Sequence, residues 1–180
     1  MERCAIIKTI LTGFILAVSL CGCSMPKSDS LTSDKQTYID ANLQFSISYP
    51  QSWSPFHAQI SQGPFDHKAV VWEVKQEELN NDISLQVISI LTTQFIPDAQ
   101  PSDILFDIYP NLSLVSRKDA ALEIGEAERL DGYTPHITVR AWIFRTSLRD
   151  FLLIFTAPPE HFAGQSDLFD EIVQSFEVLP

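Results

Sequence analysis

Phe151-Leu152-Leu153-Ile154-Phe155-Thr156-Ala157, stopped by Pro158-Pro159, is apolar on both parities. A strand with one wet face alternates apolar and polar residues, so a run with no polar side predicts a central strand covered above and below. After it, Leu168, Phe169, Ile172, Val173 and Phe176 recur at helical spacing and predict a helix from Gln165 or Ser166 to Ser175. A second helix start stands at Pro101-Ser102-Asp103, with Ser102 or Asp103 as the cap. Ile104, Leu105, Ile108 and Tyr109 share one side of it, and Pro110 ends or kinks it.

Working towards the N-terminus, Leu43, Phe45, Ile47 and Tyr49 alternate with polar residues and predict a half-buried strand closed by Pro50. Trp53 follows on a turn, where it reads as a buried anchor. Residues 55–66 read as a Pro- and Gly-rich loop. Val70, Trp72 and Val74 share a face of a strand over 68–76, and Asn80-Asn81-Asp82 turns the chain into a third strand over 83–92. Residues 121–130 predict a further strand, Asp131-Gly132 a hairpin turn, 136–147 the returning strand, and Arg149-Asp150 another reversal. Residues 176–179 form a short tail able to add to an edge. The order is three strands, helix, three strands, helix, joined by hairpin turns. That order predicts an α+β domain built on an antiparallel sheet of about six strands flanked by helices, because parallel neighbours would need a crossover between each pair.

The N-terminal end reads as a processing segment. Arg3 and Lys8 precede the apolar run 9–20, which is too short to span a hydrocarbon core of about 30 Å as a helix. It ends in Leu20-Cys21-Gly22-Cys23, which resembles a lipobox: cleavage between Gly22 and Cys23, then acylation of Cys23. Three acyl chains would make the anchor essentially permanent, where one binds only marginally. Residues 1–22 are therefore expected to be a lipoprotein signal peptide, 23–42 the lipidated cysteine and a flexible polar tether, and 43–180 the globular domain. Ser24 after the cysteine resembles the residue choice of Gram-negative lipoproteins that reach the outer membrane. The expected location is the cell envelope, facing the periplasm in such a host.

Charge and cysteine content narrow the function. The chain carries 12 basic and 23 acidic residues, a formal charge of −11, and losing Glu2, Arg3 and Lys8 with the signal makes it −12. Nucleic-acid binding needs a basic footprint, so no nucleic acid is expected. Cys4 and Cys21 leave with the signal and Cys23 is lipidated, so no disulfide is expected and the core must hold the fold. About 140 residues suffice, a length that buries about two thirds of the unfolded surface.

No motif names a reaction. His57, His67, His136 and His161 form no H-x-x-x-H pair, and no G-x-S-x-G, phosphate loop or dinucleotide fingerprint occurs. Neither a catalytic residue, a metal site nor a cofactor is implied. Asp66-His67, and more weakly His161 near Glu160 and Asp167, are the nearest approach to metal ligands, and solvated loop residues explain them better. Glu126 and Glu128 share a strand face, as chance allows among so many acids.

Two stretches carry a resemblance. Phe45-Ser46-Ile47-Ser48-Tyr49-Pro50 with Trp53, and Phe155-Thr156-Ala157-Pro158-Pro159-Glu160 leading to Phe169-Asp170-Glu171-Ile172-Val173-Gln174-Ser175-Phe176, resemble the opening and the close of the superfamily that joins PsbP, the Ran-binding Mog proteins and assorted bacterial lipoproteins. The resemblance implies an α-β-α sandwich and non-enzymatic work, either docking on a larger complex or helping to assemble one. It transfers no site residue. The expectation is a membrane-anchored, non-catalytic lipoprotein that docks on or assembles an envelope protein, with Phe56, His57, Phe65 and His67 as the candidate partner surface. The alternatives are a lipoprotein that binds a small ligand or metal in a pocket between sheet and helix, and an envelope hydrolase.

Overall fold

The computed structural model describes residues 34–62, 65–74, 83–91 and 100–180. The signal segment, Cys23 and residues 24–33 of the expected tether lie outside the described residues. Lys35–Asp40, assigned above to the tether, is instead strand β1, paired antiparallel with β2 (Phe45–Pro50). Its inward parity is Gln36, Tyr38 and Asp40, two of them polar, so the sequence shows no apolar alternation, and Tyr38 and Asp40 make side-chain contacts there. Backbone pairing with β2 and the contacts of those two side chains hold it. The reversal is built by Asp40, whose Oδ1 accepts the N–H groups of Asn42 and Leu43 at 2.9 Å, with Gln44 in the left-handed region at φ 59°.

Among the described residues, seven strands form the main sheet: β3 (Ser54–Gln62), β4 (Phe65–Val74), β5 (Ile83–Leu91), β6 (Ser113–Leu122), β7 (Gly125–Tyr133), β8 (Thr138–Arg145) and β9 (Arg149–Ala157). Their order is β3-β4-β5-β9-β8-β7-β6, antiparallel throughout. The all-apolar strand β9 is central, as its composition requires. Helix α1 (Pro101–Ile108) lies between the first three strands and the last four. Helix α2 (Pro159–Gln174) follows β9, and β10 (Glu177–Val178) extends the small sheet as β1-β2-β10. The α+β class and the flanking helices match the expectation, with ten strands in two sheets among the described residues where about six in one were expected.

The extra strands come from segments whose local signals point elsewhere. The expected loop at 55–66 is the β3–β4 hairpin: Pro55 is tolerated near the start of an edge strand, and Phe56 stands opposite Val71 in register. The single strand expected at 121–130 is the end of β6, a reversal at 123–124 and the start of β7, opened by Gly125 at φ +128°. Asp131-Gly132 lies inside β7, and the turn comes later, where the Thr134 N–H donates to the Ile137 carbonyl at 2.8 Å. The reversal expected at Arg149-Asp150 falls between Thr146 and Arg149, whose N–H donates to Thr146 Oγ1 at 2.9 Å. Helix α2 begins at Pro159, six residues before the first expected position, since proline suits a first helical turn where its missing N–H has no partner to lose. In α1 neither Ser102 nor Asp103 is the cap. Gln100 is, and its N–H donates to Asp103 Oδ2 at 2.8 Å.

The two parities of the central strands bury two cores. Phe151, Leu153 and Phe155 of β9 join Leu85, Val87, Trp72 and Trp142 on the face covered by α2 and the small sheet. Leu152 and Ile154 join Ile88, Ala141 and Ile143 on the face covered by α1. Phe169 of α2 sits 4.6 Å from Phe155, ring to ring, and Phe176 stacks between Phe45 and Phe144 at 5.7 and 5.2 Å. Trp53 is fully buried, the anchor its position predicted. Ser175 ties the end of α2 to the small sheet: its Oγ accepts the Ser48 N–H at 2.9 Å and donates within the last turn to the Ile172 carbonyl at 2.7 Å.

Candidate recognition groove

The β6–β7 pairing carries a bulge between Leu114 and Ser116, leaving Val115 without a cross-strand partner and 69% exposed. Gly132 makes the approach of the two strands possible there, because a Cβ on it would sit 2.8 Å from the Ser113 carbonyl oxygen and 2.9 Å from Leu112 Cδ1. Beyond the bulge, one parity of β6, β7 and β8 turns Ser116, Lys118, Arg129, Asp131 and Arg140 towards α2.

Asp131 is the hub of this cluster. It accepts Arg129 Nε and Arg140 Nε at 2.9 Å each and Ser116 Oγ at 3.0 Å. Burial pushes its carboxyl up, but the hydrogen bonds and charges of Arg140 and Arg129 outweigh this and hold it below the ordinary value. Arg140 is buried; its Nη1 donates to Ser166 Oγ at 2.8 Å and to Asp170 Oδ1 at 3.0 Å, both on α2. Its guanidinium lies 5.3 Å from the centre of the Phe162 ring, and that of Arg129 lies 5.6 Å from Trp142. The helix thus closes over an arginine pair that the sheet supplies. Where it stops, a groove of about 810 Å³ opens between the β6–β7 edge and the first turn of α2, walled by Val115, Tyr133, Pro135, Pro159 and Phe162 over the charged floor.

A second recess of about 920 Å³ lies on the α1 side of the same strands. There Arg117 pairs with Glu128, with Glu126, Asp119 and Arg145 around them, so its charges are largely matched internally. Neither recess is lined by Trp53, Trp72 or Trp142.

Of the four residues singled out in the sequence as a partner surface, only Phe56 and His57 have described side chains. Phe56 and His57 point to opposite faces of β3. Phe56 is 45% exposed on the α1 side, whereas His57 Nε2 meets Tyr38 Oη at 3.1 Å beside β1. Phe65 and His67 stand on β4 opposite Gln62 and Ile60, and their side chains lie outside the described residues, as does that of Asp66. Among the described residues no three His, Cys, Asp or Glu side chains gather closely enough to hold a metal ion. No described helix is long and apolar enough to cross a membrane. The groove residues are not legible in the sequence because Arg140 alternates with apolar Val139 and Ala141 and Arg129 stands among Glu126, Glu128 and Asp131, so each reads as part of an ordinary wet face. The signal that could have found them is Arg140 two residues before Trp142 on the side that the next helix covers.

No protein-family profile and no curated protein sequence matches the chain. Solved structures do. Cyanobacterial PsbP from Synechocystis sp. PCC 6803, solved in solution, aligns over 81% of this chain and 93% of its own, with a TM-score of 0.58 at 15% identity. A crystal structure of a Pseudomonas aeruginosa protein of unknown function aligns over 82% and 99%, with a TM-score of 0.48 at 12% identity. At 15% identity the likeness to cyanobacterial PsbP speaks for architecture alone: the chain has a PsbP-like fold.

Proposed function

We propose that the protein is a lipid-anchored, non-catalytic docking or assembly factor for a protein of the cell envelope. The lipobox at Leu20–Cys23 supports the anchor, and the implied site is the envelope, on the periplasmic side of the outer membrane where the host has one. The observation that carries the docking part is Phe56, 45% exposed on an edge strand of the main sheet. An edge strand presents backbone N–H and C=O groups able to pair with another chain, and Phe56 would give such a pairing an apolar contact. Of the two described members of the expected surface, Phe56 faces this side of β3 and His57 is turned towards Tyr38.

The test is cross-linking in intact cells with the full lipidated chain, followed by mass spectrometry, with Cys23→Ala and Phe56→Ser run in parallel. One defined envelope protein should be captured by the wild type and lost with Phe56→Ser while the thermal midpoint is unchanged. Capture of the same abundant bystanders by all three would sink the reading.

A further inference from the structure

Lys118 of β6 stands directly opposite Arg129 of β7 in the register of an antiparallel pair. Like charges facing each other across a ladder cost stability. Among the described residues, the one carboxylate on the groove floor, Asp131, is committed to Arg129, Arg140 and Ser116. Asp170 takes up Arg140 from the helix side. The uncompensated charge therefore falls on Lys118, which makes no hydrogen bond or ion pair among the described residues, and on the outer side of Arg129. In a chain of net charge −11 this is a local reversal of sign. At physiological salt the Debye length is about 8 Å, so a ligand seated in the groove responds to these cations rather than to distant carboxylates.

The walls decide what kind of anion fits. Tyr133 and Val115 are 52% and 69% exposed at the rim, and Phe162 and two prolines continue the apolar surface inwards. A small inorganic anion would leave these walls unused, and a nucleic acid would meet a strongly acidic protein outside the groove. A carboxylate beside an apolar or aromatic side chain uses both features. We propose that the groove between the β6–β7 edge and the first turn of α2 is a docking site for a short acidic peptide segment of a partner protein. Its carboxylate pairs with Lys118 and Arg129, and its apolar neighbour rests on Tyr133 and Phe162. The site is separate from the Phe56 edge and stands whether or not that surface docks.

The like-charge pair separates a binding role from a structural one. Lys118→Glu places a carboxylate opposite Arg129, so the folded state should be as stable as the wild type or more so, while an acidic ligand is repelled. The probe is an array of short random peptides presented to the full chain in neutral detergent. Selected sequences are then resynthesised with Asp and Glu changed to Asn and Gln, and binding is read by fluorescence anisotropy. The selected peptides should combine acidic and apolar residues, bind about ten-fold more weakly as the amide versions, and lose a similar factor with Lys118→Glu. Selection of peptides without acidic residues, or unchanged binding by Lys118→Glu, would overturn the proposal. So would displacement of the bound peptides by soluble dihexanoyl phosphatidylglycerol at lower concentration than by any peptide, which would assign the groove to lipid headgroups.

Discussion

The Nε of Arg140 donates to Asp131 on the neighbouring strand at 2.9 Å, with the arginine side chain only 8% exposed. This joins β7, β8 and α2 through one guanidinium. Breaking such a pair from one side leaves a buried charge without its partner, which costs more than the pair contributes when intact. Arg140→Ala should destabilise the domain by about 3 kcal/mol, whereas Arg140→Met with Asp131→Asn should recover much of the loss. Urea unfolding of the two variants measures both.

Acid and neutral pH should distinguish half-buried Asp131 from buried Asp150. The folded Asp131 carboxyl lies below the ordinary 3.8, so its contribution is present above that value and lost as pH falls through the folded one. Asp150 behaves oppositely. Burial raises its carboxyl, only partly offset by Arg145 across the β8–β9 ladder, so its ionised form opposes folding at neutral pH. Asp150→Asn should therefore raise the melting temperature at neutral pH, with the gain vanishing below the ordinary carboxylate value. Asp131→Asn should lower it at neutral pH and flatten the acid limb. Calorimetry across the acid range reads the sign of each.

At the alkaline end, burial of Tyr109 pushes its hydroxyl from 10.0 to about 12, with its hydrogen bond from Gln86 pulling slightly the other way. The stability tied to the protonated form is whole below the unfolded value of 10.0 and disappears as pH rises through about 12. Tyr109→Phe should remove part of the alkaline loss between these limits. Equilibrium unfolding of both proteins over that interval should show converging curves for the variant, and parallel curves would contradict the assignment.

Gly132 is a packing constraint as much as a conformational one. Gly132→Ala would drive a methyl group into the Ser113 carbonyl, a backbone atom that cannot swing aside. The expected cost is about 1–3 kcal/mol. Hydrogen exchange should show the loosening concentrated at the β6–β7 bulge rather than in β9.

Phe176 closes the core behind α2, fully buried and in ring contact with Phe45, Phe144 and Phe151. Phe176→Ala should cost about 3–5 kcal/mol. It should also release β10, which follows immediately and pairs with only two residues of β2. Cleavage of the C-terminal tail by a nonspecific protease reports this second effect.

Local pattern was enough for β9, β2 and the buried faces of both helices. Period and parity are properties of neighbouring residues, and a run with no polar side has nowhere to lie but the middle of a sheet. It was not enough for β1 or for β3, where the alternation is weak and the strand exists because a partner strand supplies the ladder. Nor could it pair β5 with β9, whose register sets Gln86 against Ile154 across the whole of α1 and three strands. The groove beside α2 was least legible of all. Ser116, Arg129, Asp131, Arg140, Ser166 and Asp170 come from four elements and meet only when α2 folds back over the end of the sheet. Charged residues at alternate strand positions look solvated in one dimension, and whether that face stays wet is settled by the layer laid on it from elsewhere in the chain.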